Sequence, residues 1–285
     1  MSAPAISLVC STIGRAEALK HQLDALTAGD LAEQVEFVLV DQSSDQTCAQ
    51  LVRDYGLPGP WHVTTSGRGV SVGRNVGLGL ATAPIVAFPD DNCWYASDTV
   101  RRVLSVFAER PDIAGLSAKQ VDADGSPSML RWLDHAVEIS RTNFMRTSIS
   151  STLFLRRAAL PSAAPFDEGI GAGAPGWRGA GEESDLLLRM MASGATLLYR
   201  PDIVVYSADD RVAPDADYVD KMLRYGVGLG HLWRTHRLPA HLLAYYSARK
   251  MVGTVVRAAR GDRIRARADR AYLRGTLAGW RGSTP

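Results

Sequence analysis

The sequence predicts an α/β fold built on a mostly parallel sheet, with a helical extension at the C-terminal end. Three short apolar runs, AISLV, VEFVLV and IVAF, each end in small or polar residues. A segment of helical spacing separates the first two runs, and a Gly-rich helical segment precedes the third. Strands that are covered by helices on both faces have this nearly continuous apolar character. Because ligands bind beyond the carboxyl ends of such strands, we expect the polar ends of the three runs to meet at one crevice.

The elements follow from local patterns along the chain. A first helix is predicted in GRAEALKHQLDALTAG, where apolar residues recur at helical spacing at Ala18, Leu19, Leu23 and Leu26. Further on, we expect a helix over 98–109, a strand over 113–120 and a turn at DADGSP. EESDLLLRMMASG predicts a helix that is ended by Gly194. ATLLYRPDIVVYS predicts two strands hinged at 200–202, and the pattern is helical from about residue 214 to the end. The predicted domains are therefore 1–212 and a helical, basic extension at 213–285.

Charge is distributed unevenly along the chain. Residues 249–285 contain nine Arg and one Lys against two Asp, a net charge of +8, whereas the whole chain carries only +2. Two interpretations of this basic segment stay open: a solvated helical face packed on the rest of the protein, or a basic amphipathic helix on anionic lipid. No aromatic-stacking module supports RNA binding, so we expect no nucleic-acid partner.

Cysteine usage and hydropathy predict a cytoplasmic protein. Cys10, Cys48 and Cys93 are odd in number, far apart and without metal-ligand spacing. The segment MSAPAISLVCSTIG has no basic region before its apolar run, so it predicts a strand and not a signal peptide. No run approaches the roughly 18 apolar residues that a membrane span requires. Peripheral contact at the inner face of the cell membrane, through residues 249–285, is the alternative to a fully soluble protein.

The acidic turn Asp90-Asp91-Asn92 follows the third apolar run directly. Oxygen ligands of this kind suit Mg²⁺ or Mn²⁺ that also contacts phosphate oxygens. A solvated turn is the alternative, but the position of the residues at a strand end favours the cation site. Asp41 ends the second run, where a carboxylate can accept a hydrogen bond from a ribose hydroxyl or cap the following helix. For Asp45 and Thr47 we expect capping alone.

Two Gly-containing segments have different interpretations. GRGVSVGRNVGLG, residues 67–79, can bind phosphate through backbone N–H groups or serve close packing, and Arg74 adds a cation suited to a diphosphate. GAGAPG, residues 171–176, matches the G-x-G-x-x-G pattern, but no strand precedes it and Pro175 lies inside it. A nicotinamide-dependent enzyme is therefore not expected.

Three carboxylates, Glu182, Glu183 and Asp185, begin a predicted helix in GAGEESDLLLRM. Acidic residues stabilise a helix N-terminus, and Asp185 is spaced to pair with Arg189, so the residues alone favour a structural role. The functional alternative is a general base that takes a proton from an acceptor hydroxyl.

Four segments in order, ISLVCSTIGR, VEFVLVDQSSDQT, GVSVGRNVGLGLATAPIVAFPDD and GEESDLLLRM, resemble the inverting glycosyltransferases of family 2. FPDDNCWY and GAGAPGWRGAGEESDLLLR look most like members that build bacterial polysaccharides. The resemblance implies the GT-A fold of nucleotide-diphospho-sugar transferases, a Rossmann-like mixed, mostly parallel sheet flanked by helices, with residues 1–212 as the catalytic domain. It also implies hexosyl or deoxyhexosyl transfer from a nucleoside-diphosphate sugar to a hydroxyl of a saccharide or lipid-linked acceptor.

The resemblance further implies roles for individual residues. Glu183 falls where the family has its catalytic base, and Glu182 and Asp185 flank it as supporting acids. Asp91 and Asn92 would hold a divalent cation, Mg²⁺ or Mn²⁺. The residues that would bind the nucleotide sugar are Ser11, Thr12, Arg15, Asp41, Arg74, Asn75, Asp90 and Asp91.

Two positions depart from the family's pattern, and both concern the metal. Asn92 replaces the third acid of the acidic motif, and Ser207 stands where many relatives have a histidine. Metal dependence is therefore left open, since an arginine can partly replace the cation beside the leaving diphosphate. Two alternatives to the transferase remain: a degenerate protein that binds a sugar nucleotide without turnover, and a nucleotidyltransferase. The second would need a Gly-rich, basic loop after the first strand, of which only Gly14 and Arg15 are present.

Overall fold

The computed structural model describes residues 3–208 and 214–285, and these fall into two compact units. The sheet unit consists of the described residues within Met1–Arg68, Val72–Pro165 and Arg189–Asp210. The helical unit consists of those within Gly69–Ser71, Phe166–Leu188 and Arg211–Pro285. The domain boundary predicted at residue 212 lies outside the described residues.

All strands of the described chain belong to one sheet in the sheet unit. They are β1 (Ile6–Thr12), β2 (Val35–Asp41), β3 (Trp61–Thr65), β4 (Ile85–Ala87), β5 (Cys93–Tyr95), β6 (Gly115–Asp122), β7 (Val137–Glu138), β8 (Leu153–Arg156) and β9 (Leu197–Ser207). The order across the sheet is β3-β2-β1-β4-β8-β6-β9-β5, and β7 pairs with β9.

The helices of the described chain flank or follow these strands. They are α1 (Ala16–Thr27), α2 (Thr47–Tyr55), α3 (Val70–Leu78), α4 (Thr99–Glu109), α5 (Glu182–Ala192), α6 (Ala216–Thr235), α7 (Ala240–Ala259) and α8 (Arg263–Arg281). None of the helices that the structure describes is both long and apolar enough to cross a membrane.

The strand directions bring many carboxyl ends to one edge of the sheet, called here the carboxyl edge. Strands β1 to β4 are parallel to their neighbours among themselves. Because β8 is antiparallel to both β4 and β6, strand β6 runs in the direction of β4, and β9 is parallel to β6. The edge therefore receives the last residues of six strands, among them Thr12, Asp41, Asp122 and Ser207.

The apolar runs become buried strands, as the sequence predicts. Every residue of β2 is buried, and α1 covers the sheet with Leu19, Leu23 and Leu26. Burial of a single such side chain contributes about 1.5–3 kcal/mol to folding. The three cysteines are buried and form no disulfide. Burial raises the pKa of Cys48 to about 11, so this thiol stays protonated at neutral pH.

The segment 197–207, predicted as two strands hinged at 200–202, is one strand with an irregularity. Its pairing with β6 shifts between Ala118, which is opposite Arg200, and Lys119, which is opposite Val204. Residues 201–203 are therefore additional on β9. Pro201 has no N–H to donate, and irregular positions are where a sheet accepts a proline. The prediction of a break was wrong because pairing resumes directly after these residues.

A buried carboxylate joins strands near their amino ends, away from the carboxyl edge. Glu36 of β2 is 1% exposed and faces Ser7 of β1, which donates a hydrogen bond to it. The backbone N–H and the hydroxyl of Thr82, just before β4, each donate to Glu36 over 2.8 Å. Burial opposes ionisation, but the hydrogen bonds from Ser7 and Thr82 outweigh it and hold the pKa of Glu36 below its ordinary value.

In the helical unit, α6 and α8 pack with their backbones in close contact. A Cβ on Gly226 of α6 would lie 2.0 Å from the carbonyl oxygen of Tyr272, and a Cβ on Gly275 of α8 would lie 2.2 Å from that of Leu223. A Cβ on Gly230 of α6 or on Gly279 of α8 would likewise lie too close to a backbone carbonyl oxygen of the other helix. Two of the three glycines in GVGLG, residues 226–230, are thus explained by the packing of α6 on α8.

Two further contacts complete the helical unit. Asp269 of α8 is 4% exposed and forms ion pairs with Lys250, at 2.8 Å, and with Arg257, both on α7. The segment before α5 packs on α6, because a Cβ on Gly228 would lie 2.1 Å from the carbonyl oxygen of Ala180. Residues 166–188 and the C-terminal helices therefore stabilise one another.

Candidate active site

The centre of the predicted donor site in the sheet unit is Asp91, whose side chain is 2% exposed. The hydroxyl of Thr12 donates to one carboxylate oxygen over 2.6 Å, and Arg15 donates to the other. The Arg15 side chain is itself 44% exposed. Asp91 therefore fixes one nitrogen of the guanidinium, while nearly half of the Arg15 side-chain surface stays open to solvent and to an anionic ligand.

Arg74 and Asp90 form a second ion pair, in which the cation is the buried partner. The Arg74 side chain is 3% exposed and lies 3.2 Å from a carboxylate oxygen of Asp90, which is 44% exposed. A second contact, 2.9 Å from the Arg74 Nη2 atom to the hydroxyl of Ser150, fixes the guanidinium. Asn75, which follows Arg74 on α3, is 8% exposed. Taking one partner away from a buried charge of this kind is strongly destabilising.

Asp41 is 1% exposed and already has hydrogen bonds to both carboxylate oxygens. One oxygen accepts from the backbone N–H of Ser43 at 2.9 Å and from its hydroxyl at 2.6 Å. The other accepts from the N–H of Ala49, in the first turn of α2, at 2.9 Å. This is the capping role that the sequence offered as the alternative, and a role in holding ribose stays a prediction.

The Gly-rich segment packs closely against the end of β1. A Cβ on Gly73 would lie 2.2 Å from the hydroxyl oxygen of Ser11. Gln42, which follows β2, donates from its side chain to Ser66 at 2.8 Å and to the carbonyl of Gly67 at 2.6 Å. The close-packing interpretation of residues 67–79 is therefore visible in the contacts, while phosphate binding by this segment stays a prediction.

The two departures from the family pattern, Asn92 and Ser207, are neighbours in the sheet. Cys93 of β5 pairs with Ser207 of β9, and the N–H of Ala208 donates to the carbonyl of Asn92 over 3.0 Å. Asp122 of β6 pairs with Ser207 from the other side. An amide and a hydroxyl thus stand together on the side of the edge where an acid and an imidazole would give metal affinity.

The acidic turn fits a divalent cation poorly. Both oxygens of Asp91 accept hydrogen bonds, Asp90 is paired with Arg74, and Asn92 brings no charge. Mg²⁺ and Mn²⁺ sites prefer charged oxygen ligands. Among the residues that the structure describes, no group of three or more His, Cys, Asp or Glu side chains is arranged to hold a metal ion.

The three carboxylates at the start of α5 belong to the helical unit and differ in their surroundings. Asp185 is 5% exposed and lies 2.8 Å from the Nε2 atom of His236. Glu182 is 8% exposed, and a Cβ on Gly171 would lie 3.1 Å from its Oε2 atom. Glu183 is less buried than both, and its carboxylate accepts a 3.4 Å hydrogen bond from the hydroxyl of Ser184. Of the three, Glu183 is the one that solvent reaches.

The loop before α5 is shaped by glycines with positive φ. Gly171 has a φ of +113°, which other residues rarely adopt, and its N–H donates to the carbonyl of Arg178 over 2.8 Å. Ser71, at the start of α3, donates to the carbonyl of Ile170 over 2.6 Å.

Burial, together with the nearby charge of Arg178, lowers the pKa of His231, so this residue of α6 is neutral at neutral pH.

Two contacts at these sites were not predicted from the sequence. Gln22 of α1 is 4% exposed and donates to the carbonyl oxygens of Asp90, at 3.0 Å, and Cys93, at 2.7 Å, so it holds the acidic turn. Its signal was available, since a glutamine on the apolar stripe of a helix needs a buried partner. The pairing of His236 with Asp185 could not be predicted, because no sequence pattern places the end of α6 beside the start of α5.

The residues predicted to act together therefore form three groups in the structure. Thr12, Arg15 and Asp91 are in contact, and Arg74 is in contact with Asp90, all in the sheet unit. Thr12 and Asp41 are partners in the β1–β2 register. Glu182, Glu183 and Asp185 share the first turn of α5 in the helical unit.

The class of protein is that of the glycosyltransferases, as the match to a family model shows. The model of the family Glycosyl transferase family 2 matches residues 7–160, more than half of the chain. The protein belongs to glycosyl transferase family 2. No curated protein matches the sequence.

Solved structures share the fold over nearly the whole chain. S. aureus TarS 1–349, solved in complex with UDP-GlcNAc, is 16% identical with a TM-score of 0.62 over 98% of this chain and 92% of that one. The mannosyltransferase PcManGT from Pyrobaculum calidifontis, solved with GDP-Man and Mn²⁺, is 16% identical with a TM-score of 0.65 over 98% and 88% of the two chains. At this identity the likeness shows the fold, which is the GT-A fold that the sequence predicts.

Proposed function

We propose that the protein is an inverting glycosyltransferase that moves a sugar from a nucleoside-diphosphate sugar to a hydroxyl of a saccharide or lipid-linked acceptor in polysaccharide assembly. The observation that supports this most is the buried Asp91, held between Thr12 and Arg15 at the carboxyl edge of a family 2 chain. The donors bound to TarS and PcManGT, UDP-GlcNAc and GDP-Man, support a nucleotide sugar as the donor class. In this proposal the enzyme works in the cytoplasm, with residues 1–212 as the catalytic domain.

In this proposal, the diphosphate of the donor lies beside Arg15 and Arg74. Arginine suits a diphosphate because its planar fork can donate two parallel hydrogen bonds. Asp91 fixes the direction of Arg15, and Ser150 fixes that of Arg74. The remaining proposed donor contacts are those of Ser11, Thr12, Asp41, Asn75, Asp90 and Asp91.

The charge on the leaving diphosphate is neutralised in this proposal by the two arginines. A bound Mn²⁺ accompanies GDP-Man in PcManGT, whereas Asn92 and Ser207 of this chain would be weak ligands for a divalent cation. Preorganised cations beside a leaving group stabilise the transition state because they need no rearrangement as charge develops.

Glu183 is the proposed general base. It accepts the proton of the acceptor hydroxyl while that oxygen attacks the anomeric carbon from the face opposite the diphosphate. The bond from the anomeric carbon to the diphosphate oxygen breaks, its electron pair leaves with the nucleoside diphosphate, and the configuration at the carbon is inverted. Asp185, held by His236, and Glu182 keep the start of α5 in place around Glu183.

The test is the substitution Glu183→Gln, which keeps the side-chain volume and removes the basic carboxylate. Loss of general-base catalysis is expected to lower kcat by roughly 10²–10⁴-fold, with donor affinity unchanged by calorimetry. Turnover is measured as nucleoside diphosphate release and as transfer to acceptor, over a panel of donors chosen by thermal shift. Glu33→Gln, an exposed change in the sheet unit, is the matched control and should leave kcat unaltered.

A second candidate, a sugar-nucleotide-binding protein without turnover, is favoured by Asn92 and Ser207 standing side by side. The same assay separates the two functions. A donor that binds tightly to the wild-type protein but is neither hydrolysed nor transferred, with or without Mn²⁺, supports the degenerate protein. A Glu183→Gln protein that transfers sugar at the wild-type rate removes Glu183 from the mechanism.

A further inference from the structure

Helix α7 exposes an apolar face that no described residue covers. Five large apolar side chains on this helix are solvent-exposed: Tyr245 by 55%, Met251 by 53%, Val252 by 65%, Val255 by 68% and Val256 by 43%. We call these five residues the α7 face. Soluble proteins rarely leave so many large apolar side chains together in water, and such patches mark interaction sites.

The face is continuous along the helix and contains no charge. The other exposed positions of α7 are small or neutral residues, namely Ala240, His241, Ala244, Ala248, Ala258 and Ala259. Exposed positions recur three and four residues apart, from His241 through Val252 to Ala259, which is one side of a helix. The charged side chains Lys250 and Arg257 turn instead to Asp269 on α8, and the guanidinium of Arg249 lies over the ring of Tyr245.

The surroundings of this face are strongly basic. α7 contains no acidic residue, and residues 249–285 carry a net charge of +8. Both acids in that stretch are paired, Asp262 with Arg265 at 3.0 Å and Asp269 with Lys250 at 2.8 Å. Seven arginines are exposed from the end of α7 through α8: Arg260, Arg263, Arg265, Arg267, Arg270, Arg274 and Arg281.

The charge decides between two occupants of the face. In a symmetric dimer the same patch would meet itself, so the arginines of one copy would approach those of the other, with no acid on either α7 to balance them. A bilayer of anionic phospholipid offers both components that the surface needs, an apolar layer and negative headgroups. α7 is not apolar enough to cross a bilayer, so it would lie in the plane of the interface.

We propose that the α7 face docks on the surface of an anionic phospholipid bilayer. Met251, Val252 and Val255 enter the boundary between headgroups and acyl chains, and the exposed arginines of α8 attract the lipid phosphates. Within the basic segment expected from the sequence, residues 249–285, the structure narrows the docking surface to a face of α7 supported by the charge of α8. The proposal does not depend on the sugar transferred.

The test is co-sedimentation of the full chain with vesicles of equal parts phosphatidylglycerol and phosphatidylcholine. The double variant Val252→Asn/Val255→Asn removes apolar surface without a change of charge and should lower vesicle partitioning about tenfold or more. Arg263→Gln/Arg267→Gln should lower it about thirtyfold, since each arginine contributes roughly 1 kcal/mol at an anionic surface. Met129→Asn changes an apolar side chain that is 76% exposed in the sheet unit, and it should have no effect.

Further measurements make the result decisive. Because Val252 and Val255 are 65% and 68% exposed, the double variant should keep the wild-type Tm, which shows that lost binding is not lost folding. Wild-type binding should fall in high salt and on pure phosphatidylcholine. Absence of binding to the anionic vesicles, or equal binding by Val252→Asn/Val255→Asn, overturns the proposal. A concentration-dependent dimer that the same variant abolishes, without vesicle binding, assigns the face to a second copy of the chain.

Discussion

Asn92 determines how much negative charge the acidic turn offers. Asp91 is balanced by Arg15 and Asp90 by Arg74, so the third position of the turn would supply the unbalanced charge that a divalent cation requires. In this chain that position is a neutral amide. Ser207, which lies beside it on the neighbouring strand β9, brings only a hydroxyl. The local composition thus favours a site with little affinity for metal.

We therefore predict that Asn92→Asp raises the affinity for Mn²⁺ about tenfold or more, because ligand charge tunes the binding of hard cations. The affinity is measured by titrating the protein with Mn²⁺ and following the electron paramagnetic resonance signal of the free ion. Gln50→Glu adds the same charge at an exposed position of α2 and should leave Mn²⁺ binding unchanged. Equal affinities for wild type and Asn92→Asp would show that position 92 does not face the cation.

Residues of the site could be predicted where topology brings distant positions together. Thr12 and Asp91 are 79 residues apart, yet both follow apolar runs of a parallel sheet, so their contact was expected. Gln22 could be recognised as a polar residue on the apolar stripe of α1, but its two partners could not be predicted. For His236 no sequence pattern indicates the contact with Asp185. Asp41 shows the limit of a residue type, because a carboxylate at a strand end serves a helix cap as well as a ligand.

At the scale of elements, glycines decide how α6 and α8 meet. We predict that Gly226→Ala destabilises the protein by about 1–3 kcal/mol or more, because its Cβ would lie 2.0 Å from a backbone carbonyl that cannot move aside. Gly253→Ala on α7 is the matched control, since only the end of Arg257 lies near, at 3.8 Å. There alanine should be neutral or stabilise by roughly 0.5–1 kcal/mol.

Urea unfolding of both variants measures the difference. Equal midpoints for Gly226→Ala and the wild type would mean that the two helices separate without cost. If Gly253→Ala were less stable than the wild type, the space beside Gly253 would not be open.

Elements were predictable where periodicity was strong and were missed where strands are short or half-exposed. β1, β2, α1, α4 and α5 follow from apolar runs and helical spacing. β3 has no buried residue in its five positions, and β5 has only three residues, so neither shows a strand pattern. α2 follows a polar loop, and no sequence signal in that loop marks the residue at which the helix begins. In β9 the proline predicts a break, although a bulge can hold it.

At the scale of the whole molecule, the C-terminal helices belong to one compact unit with residues 166–188. Leu232 covers Gly181, and His236 holds Asp185. We predict that a chain ending at Ala208 loses these partners, so that the segment before α5 becomes a preferred site of proteolysis and sugar transfer is lost.

Limited proteolysis followed by mass spectrometry identifies the cleaved bonds. A chain ending at Gly282 keeps α6, α7 and α8 and should resist cleavage as the wild type does. Survival of residues 166–188 in the chain ending at Ala208, at wild-type protease concentrations, would show that the segment is stable without the helices.

The buried Glu36 has a consequence for the alignment of the strands. If β2 slipped by one residue against β1, the carboxylate would leave Ser7 and stay buried without a donor from that strand, which is costly for an ionised group. Only one alignment therefore satisfies this acid. That same alignment sets Thr12 opposite Asp41 at the other end of the two strands, so a residue far from the carboxyl edge helps to fix the geometry of the candidate site.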